Sequence, residues 1–207
     1  MKYVKMLGLA AMAAMAVMAF VGAGTASATE LYEGNTTLGA GSTLHATLEP
    51  GTSALLTDTA GNPIDTCTTS TVHGTLTSAG SSTTTPHGNI GTLTWGGETD
   101  PCTQTTTTLA NGQLEIHHIT GTDNGTVTGN GSVVQISVFG ITCNYGSGTG
   151  TDLGILTGKT STSEHATMDI NANLNEQEPK KFLCPDTGKW VGSYVVTSPT
   201  GLNVRAS

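Results

Sequence analysis

The chain has 207 residues, is rich in Thr and Gly, and carries 7 Lys or Arg against 15 Asp or Glu, a formal net charge of −8. That balance lacks the basic footprint which nucleic acid and anionic membranes demand, so neither is expected as a partner. No Gly-x-Ser-x-Gly elbow and no C-x-x-C pair is present, so linear motifs offer neither an activated nucleophile nor a zinc or redox site.

Residues 1–28 read as an export signal. Lys2 and Lys5 supply the positive start, residues 6–21 form an apolar run broken only by Gly8, and Ala26-Ser27-Ala28 gives the small-x-small cleavage motif. The apolar run is about the shortest that could cross a bilayer and the cleavage motif follows at once, so a removed leader is expected in place of an anchor. No cysteine near the site offers a lipid attachment point. N-terminal sequencing of secreted protein is expected to begin at Thr29, and an intact Met1 form in washed membranes would overturn this. Residues 29–207 are expected to form a single β-rich domain. From residue 29 to 158 there is no Lys or Arg, against ten Asp or Glu; from Lys159 onward five basic residues balance five acidic ones.

Thr is β-branched and suits a pleated, half-wet surface, and Gly and Asn-Gly pairs punctuate turns. Taken in chain order, Leu44, Ala46 and Leu48 alternate with polar neighbours in a strand over 43–49, and Glu49-Pro50-Gly51 divides it from a strand at 53–57. Asp58-Thr-Ala-Gly-Asn-Pro-Ile-Asp65 places two carboxylates and an amide around a turn. It lacks the alternating ligand spacing of a calcium loop, so a hairpin loop is expected. A strand at 71–78 precedes a low-complexity connection at 78–87 and a strand at 90–95. Asn111-Gly112 then stands between alternating runs at 103–110 and 113–120, the strongest hairpin signal in the chain. The second run contains His117-His118. Neighbours on a strand face opposite ways, so the pair cannot share one metal: His118 is expected inside with Leu114 and Ile116, and His117 outside beside Glu115.

Asn130-Gly131 similarly separates 125–128 from 132–139, where Val134, Ile136 and Val138 alternate. After a strand at 151–157 comes the clearest alternation, Ala166, Met168, Ile170, Ala172 and Leu174, with Thr167, Asp169, Asn171 and Asn173 on the opposite face. Residues 175–181 read as a loop, and strands at 190–197 and 202–205 complete the chain. About twelve short strands and no long helix give an all-β fold, an antiparallel β-sandwich or distorted barrel. Trp95, Met168, Ile170, Trp190 and Tyr194 are expected to be mostly buried.

Cys67, Cys102, Cys143 and Cys184 all follow the leader, and an even count in an exported chain implies disulfides. Of three connectivities, chain proximity favours Cys67–Cys102 with Cys143–Cys184. These bridges would close loops of 35 and 41 residues and contribute about 3–4 kcal/mol each through loop entropy.

The C-terminal third, Ala166-Thr-Met-Asp-Ile170, Phe182-Leu-Cys-Pro185 and Trp190-x-Gly192-x-Tyr194-x-Val196-Thr197-x-Pro199, resembles a group of small exported actinobacterial proteins. So do Gly112-x-Leu114-x-Ile116 and the stretch from Cys143-Asn-Tyr-Gly to Thr151-Asp-Leu-Gly154. The resemblance implies a signal peptide, a Thr- and Gly-rich β chain with spaced cysteines, and a compartment, but no assigned activity.

The expected role is therefore surface contact by a secreted or cell-envelope protein, without catalysis, cofactor or metal. Its expected partner is an envelope or matrix component, with polysaccharide as a candidate. A glycan-binding module is the second reading. A secreted hydrolase is the third, since Glu98, Asp100, Glu115 and Glu164 could supply a carboxylate pair only if folding brings two of them together.

Overall fold

The computed structural model describes residues 28–96, 102, 112–138 and 140–207. Residues 1–27, where the export signal is expected, the run at 103–110 with Asn111, and Glu98, Asp100 and Phe139 lie outside the described residues.

Among the described residues there are sixteen strands and no helix. They are β1 (Thr29–Glu33), β2 (Thr36–Thr37), β3 (Thr43–Leu48), β4 (Ala54–Thr57), β5 (Pro63–Cys67), β6 (Thr69–Ser78), β7 (Gly80–Ser81) and β8 (His87–Gly96). There follow β9 (Gln113–His118), β10 (Gly125–Asn130), β11 (Val133–Val138), β12 (Ile141–Gly146), β13 (Thr151–Thr157), β14 (Thr167–Glu176), β15 (Thr187–Ser198) and β16 (Leu202–Ala206). Of the two architectures open to the sequence, the barrel is the one formed. Strands β3, β6, β8, β9, β10, β13, β14 and β15 pair antiparallel in that order, and β15 returns to β3 to close the ring. Ring order is chain order, so the fold is an up-and-down barrel from which two hairpins are paid out.

The first excursion is the β4–β5 hairpin, which docks on the N-terminal half of β15 through Leu56↔Trp190. The second is β11–β12, which docks on the C-terminal end of β14 through Tyr145↔Glu176. The long β14–β15 hairpin thus serves the barrel at one end and a six-stranded extension at the other. Asn130-Gly131 lies where the chain leaves the barrel. The strands on either side of it do not pair with each other, because β10 takes β9 and β13 as partners and β11 takes β12. The same holds at Glu49-Pro50-Gly51: β3 and β4 both pair with β15.

Both disulfides form as chain proximity predicts, Cys67–Cys102 and Cys143–Cys184, and both lie at the extension. There Leu48, Leu56, Tyr145, Ile170, Leu174 and Tyr194 make one buried cluster with Cys67, Cys143 and Cys184. The opposite end is covered by a small sheet in which β1 pairs with β16, β2 and β7. Leu31, Leu202 and Val204 of that sheet pack on Leu76, Ile116, Val127, Leu156 and Val196 of the barrel. No described helix is long and apolar enough to cross a membrane.

Candidate functional site

Alternation dictates what lines the barrel. Inward positions carry Leu44, Ala46 and Leu48 from β3, Val72 and Leu76 from β6, Leu114 and Ile116 from β9, and Met168, Ile170 and Ala172 from β14. An eight-stranded barrel is just wide enough for such side chains to fill it or for one small ligand to be enclosed. Here the filling is incomplete. An upper cavity of about 80 Å³ is walled by Leu44, Gly74, Leu76, Ile116, Val127 and Leu202, among others. A lower cavity of about 60 Å³ is walled by Leu93, Ser132, Val134, Leu153, Trp190 and Tyr194. Ala46, Val72, Ile90, Leu114 and Met168 line both, so the cavities are stacked along the lumen with a common wall. A third space of about 30 Å³ lies further into the extension, beside Asp65, Trp95 and Trp190.

Three residues expected in the core, Trp95, Met168 and Trp190, are only half-buried, whereas Ile170 and Tyr194 are enclosed. All five nonetheless face inward, belonging to the buried cluster or packing against it. Met168 and Trp190 line unfilled space, Trp190 touching both the lower cavity and the third space and Trp95 the third space alone.

The lumen floor is aromatic. Trp95 and Trp190 meet edge to face at 5.9 Å between centroids, and Trp190 meets Tyr194 the same way at 6.2 Å. The Tyr194 hydroxyl donates to Ser70 Oγ at 3.1 Å. Burial pushes that hydroxyl above its ordinary pKa, and the nearby Ser70 and indole N–H groups offset this only in part. Trp190 Nε1 and Ser132 Oγ are buried without a hydrogen bond of good geometry, the indole N–H lying near the Tyr194 hydroxyl.

The outer surface gathers little. His117 lies outward, 3.6 Å from Glu115, and His118 inward, its Nε2 2.7 Å from the Thr122 carbonyl, as alternation requires. Glu115 also accepts from Thr85 Oγ1, which lies 3.3 Å from His87 Nε2. Glu164 stands apart, 3.7 Å from Lys159. Asp58 accepts from the Ala60 and Asn62 backbone and from Asn62 Nδ2, an ordinary turn cap, and the Asn62 side-chain bond is the main cause that lowers its pKa. Asp65, its supposed partner in a calcium loop, is buried on β5. The one described group with metal-ligand proximity is Asp65 with Cys67 and Cys102, and those thiols are spent on a disulfide. Phe182 is wholly exposed, on the loop held by Cys184.

Comparison with family models, characterised proteins and solved structures gives no match to this chain.

Proposed function

We propose that the chain is an exported, non-catalytic binding protein that holds a small apolar molecule inside its barrel. The observation that carries this reading is the pair of stacked, almost wholly apolar cavities on the barrel axis. Apolar cavities of this order stay dry and take up small hydrocarbons, because water gains too few hydrogen bonds there. Ligand uptake replaces void by dispersion contacts along the whole wall. Export rests on the leader at 1–28, the two disulfides and the resemblance to exported actinobacterial β proteins.

This reading replaces surface contact as the first choice because the concave site lies within the barrel. It also ranks above glycan binding. A sugar platform needs exposed aromatic faces, whereas Trp190 and Tyr194 are turned into the lumen and Trp95 into the space beside it in the extension. A hydrolase would need a carboxylate pair around a cleft, and Glu115 and Glu164 have separate partners.

The test is thermal unfolding of residues 29–207 with benzene, hexane or a neutral oligosaccharide. Saturation at about ten times Kd stabilises by about 1.4 kcal/mol, so hydrocarbons are expected to raise Tm by a few degrees and the oligosaccharide to leave it unchanged. Ala46→Leu, which puts a larger side chain into the wall common to both cavities, should abolish the hydrocarbon shift. A shift with the oligosaccharide alone would overturn the proposal.

A further inference from the structure

The two cavities of the lumen are parted by a collar of side chains. Ala46 from β3, Val72 from β6, Ile90 from β8, Leu114 from β9 and Met168 from β14 line both spaces. Five of the eight barrel strands thus each supply one apolar side chain to the boundary, and no Asp, Glu, Lys or Arg lines either cavity. The size of the two spaces makes this collar decisive. An apolar cavity of about 150 Å³ holds benzene. The upper space, at about 80 Å³, and the lower, at about 60 Å³, each offer about half of that or less. Neither has room for a molecule of about six carbons by itself, whereas the two together approach the size that does. A ligand of that size therefore occupies both spaces, and its middle lies within the collar.

We propose that the lumen selects an unbranched aliphatic chain, one per protein, threaded through this collar, and that Met168 sets the preference. An unbranched chain is narrow along its whole length, so it passes with little displacement of the collar and fills both voids with dispersion contacts. A quaternary carbon is wider, and would push collar side chains off their rotamers as overpacking does in a filled core. Met168 is the member best able to give way. Its side chain is unbranched and changes rotamer readily, whereas Val72 and Ile90 are β-branched and stiff at χ1. This inference rests on the lumen-binding reading and adds the ligand's shape and stoichiometry to it.

The experiment measures uptake of hexane and of its branched isomer neohexane by headspace partitioning over residues 29–207. Hexane is expected to saturate at one molecule per protein. It should bind about tenfold more tightly than neohexane once each is corrected for water-to-alkane transfer, the effect of overpacking at one constriction. Met168→Ala leaves a void that joins the two spaces, and should bring the isomers to within about twofold of each other. Val72→Ala widens the collar from another strand and should lower the preference as well, which keeps the test decisive if the Met168 variant does not fold. Equal or tighter binding of neohexane by the wild-type protein, saturation at two hexanes, or a preference unchanged in every folded variant would overturn the collar while leaving lumen binding intact. Uptake of neither hydrocarbon would instead overturn the lumen-binding reading itself.

Discussion

Gly154→Ala is expected to destabilise the protein by roughly 3–5 kcal/mol and to lower Tm by about 10 °C for a chain of this length. Gly154 sits on β13 at φ +149°, where L side chains are rarely found. It follows a bulge at which the pairing with β10 shifts register, Val127 facing Gly154 and Thr128 facing Asp152. On its other side it pairs with Ile170 of β14, and a Cβ there would run into the Asp169 carbonyl oxygen. That oxygen belongs to the backbone, so relief requires β13 and β14 to part in the barrel wall. Gly150 is the control. It too has a positive φ, +67°, but a Cβ there meets nothing within 4 Å, so Gly150→Ala should cost only about 1 kcal/mol for the left-handed conformation. Chemical denaturation of both variants checks the prediction. Equal losses would mean that backbone conformation alone, and not closure of the wall, makes glycine necessary at 154.

Strand positions were mostly legible where β-branched and apolar residues run between clear turn signals. β13 was read to the residue, and β3, β6, β9 and β14 to within a few. β12 was missed although Ile141, Cys143 and Tyr145 alternate, because Asn144 and Gly146 resemble turn residues; the buried faces of Cys143 and Tyr145 show the signal was real. β1 was missed for another reason. Thr-Glu-Leu-Tyr-Glu has one full alternation, and it is ordered by Leu202–Ala206, at the far end of the chain. Asn130-Gly131 misled because a turn signal reports a change of direction and not which strands then pair. Local sequence at 125–139 cannot register that β13 competes for the edge of β10.

The site was less legible than the fold. Alternation places Met168, Trp190 and Tyr194 inward, but it does not say whether inward side chains fill the space they enclose. That depends on closure, and closure depends on β15 reaching β3, for example through Thr197 Oγ1 and the His45 carbonyl. A sandwich built from the same strands would pack these residues between two faces and leave no axis. The edge-to-face stack of Trp95, Trp190 and Tyr194 likewise has no counterpart in a linear motif, since it joins β8 and β15, which are far apart in the chain.

Met168→Asp and Asp169→Asn, one residue apart, should differ by several kcal/mol. Met168 faces the lumen and lines both cavities, whereas Asp169 is exposed and accepts from Ser193 Oγ at 2.7 Å. A carboxylate at 168 would be surrounded by Ala46, Val72, Ile90 and Leu114, with no Lys or Arg in the lining and His45 and His87 as the titratable groups of the upper cavity. At pH 7 the expected cost is about 3–5 kcal/mol, because the charged form loses its water and gains no partner. The sign of its pH dependence follows. Burial raises the folded-state pKa of the new carboxyl above its unfolded value of about 3.9. Between those two pKa values the folded state binds more protons than the unfolded one, so the variant should regain stability as pH falls from 7 towards 4. Asp169→Asn removes an exposed charge and keeps an acceptor for Ser193, and should change stability by about 0.5 kcal/mol or less. Met168→Leu, which keeps volume and polarity, should cost less than about 1.5 kcal/mol. Urea denaturation at pH 7 and pH 4.5 measures all three. Equal losses at 168 and 169 would reverse the facing of β14, and with it the lumen, since Met168, Ile170, Ala172 and Leu174 turn inward or outward together.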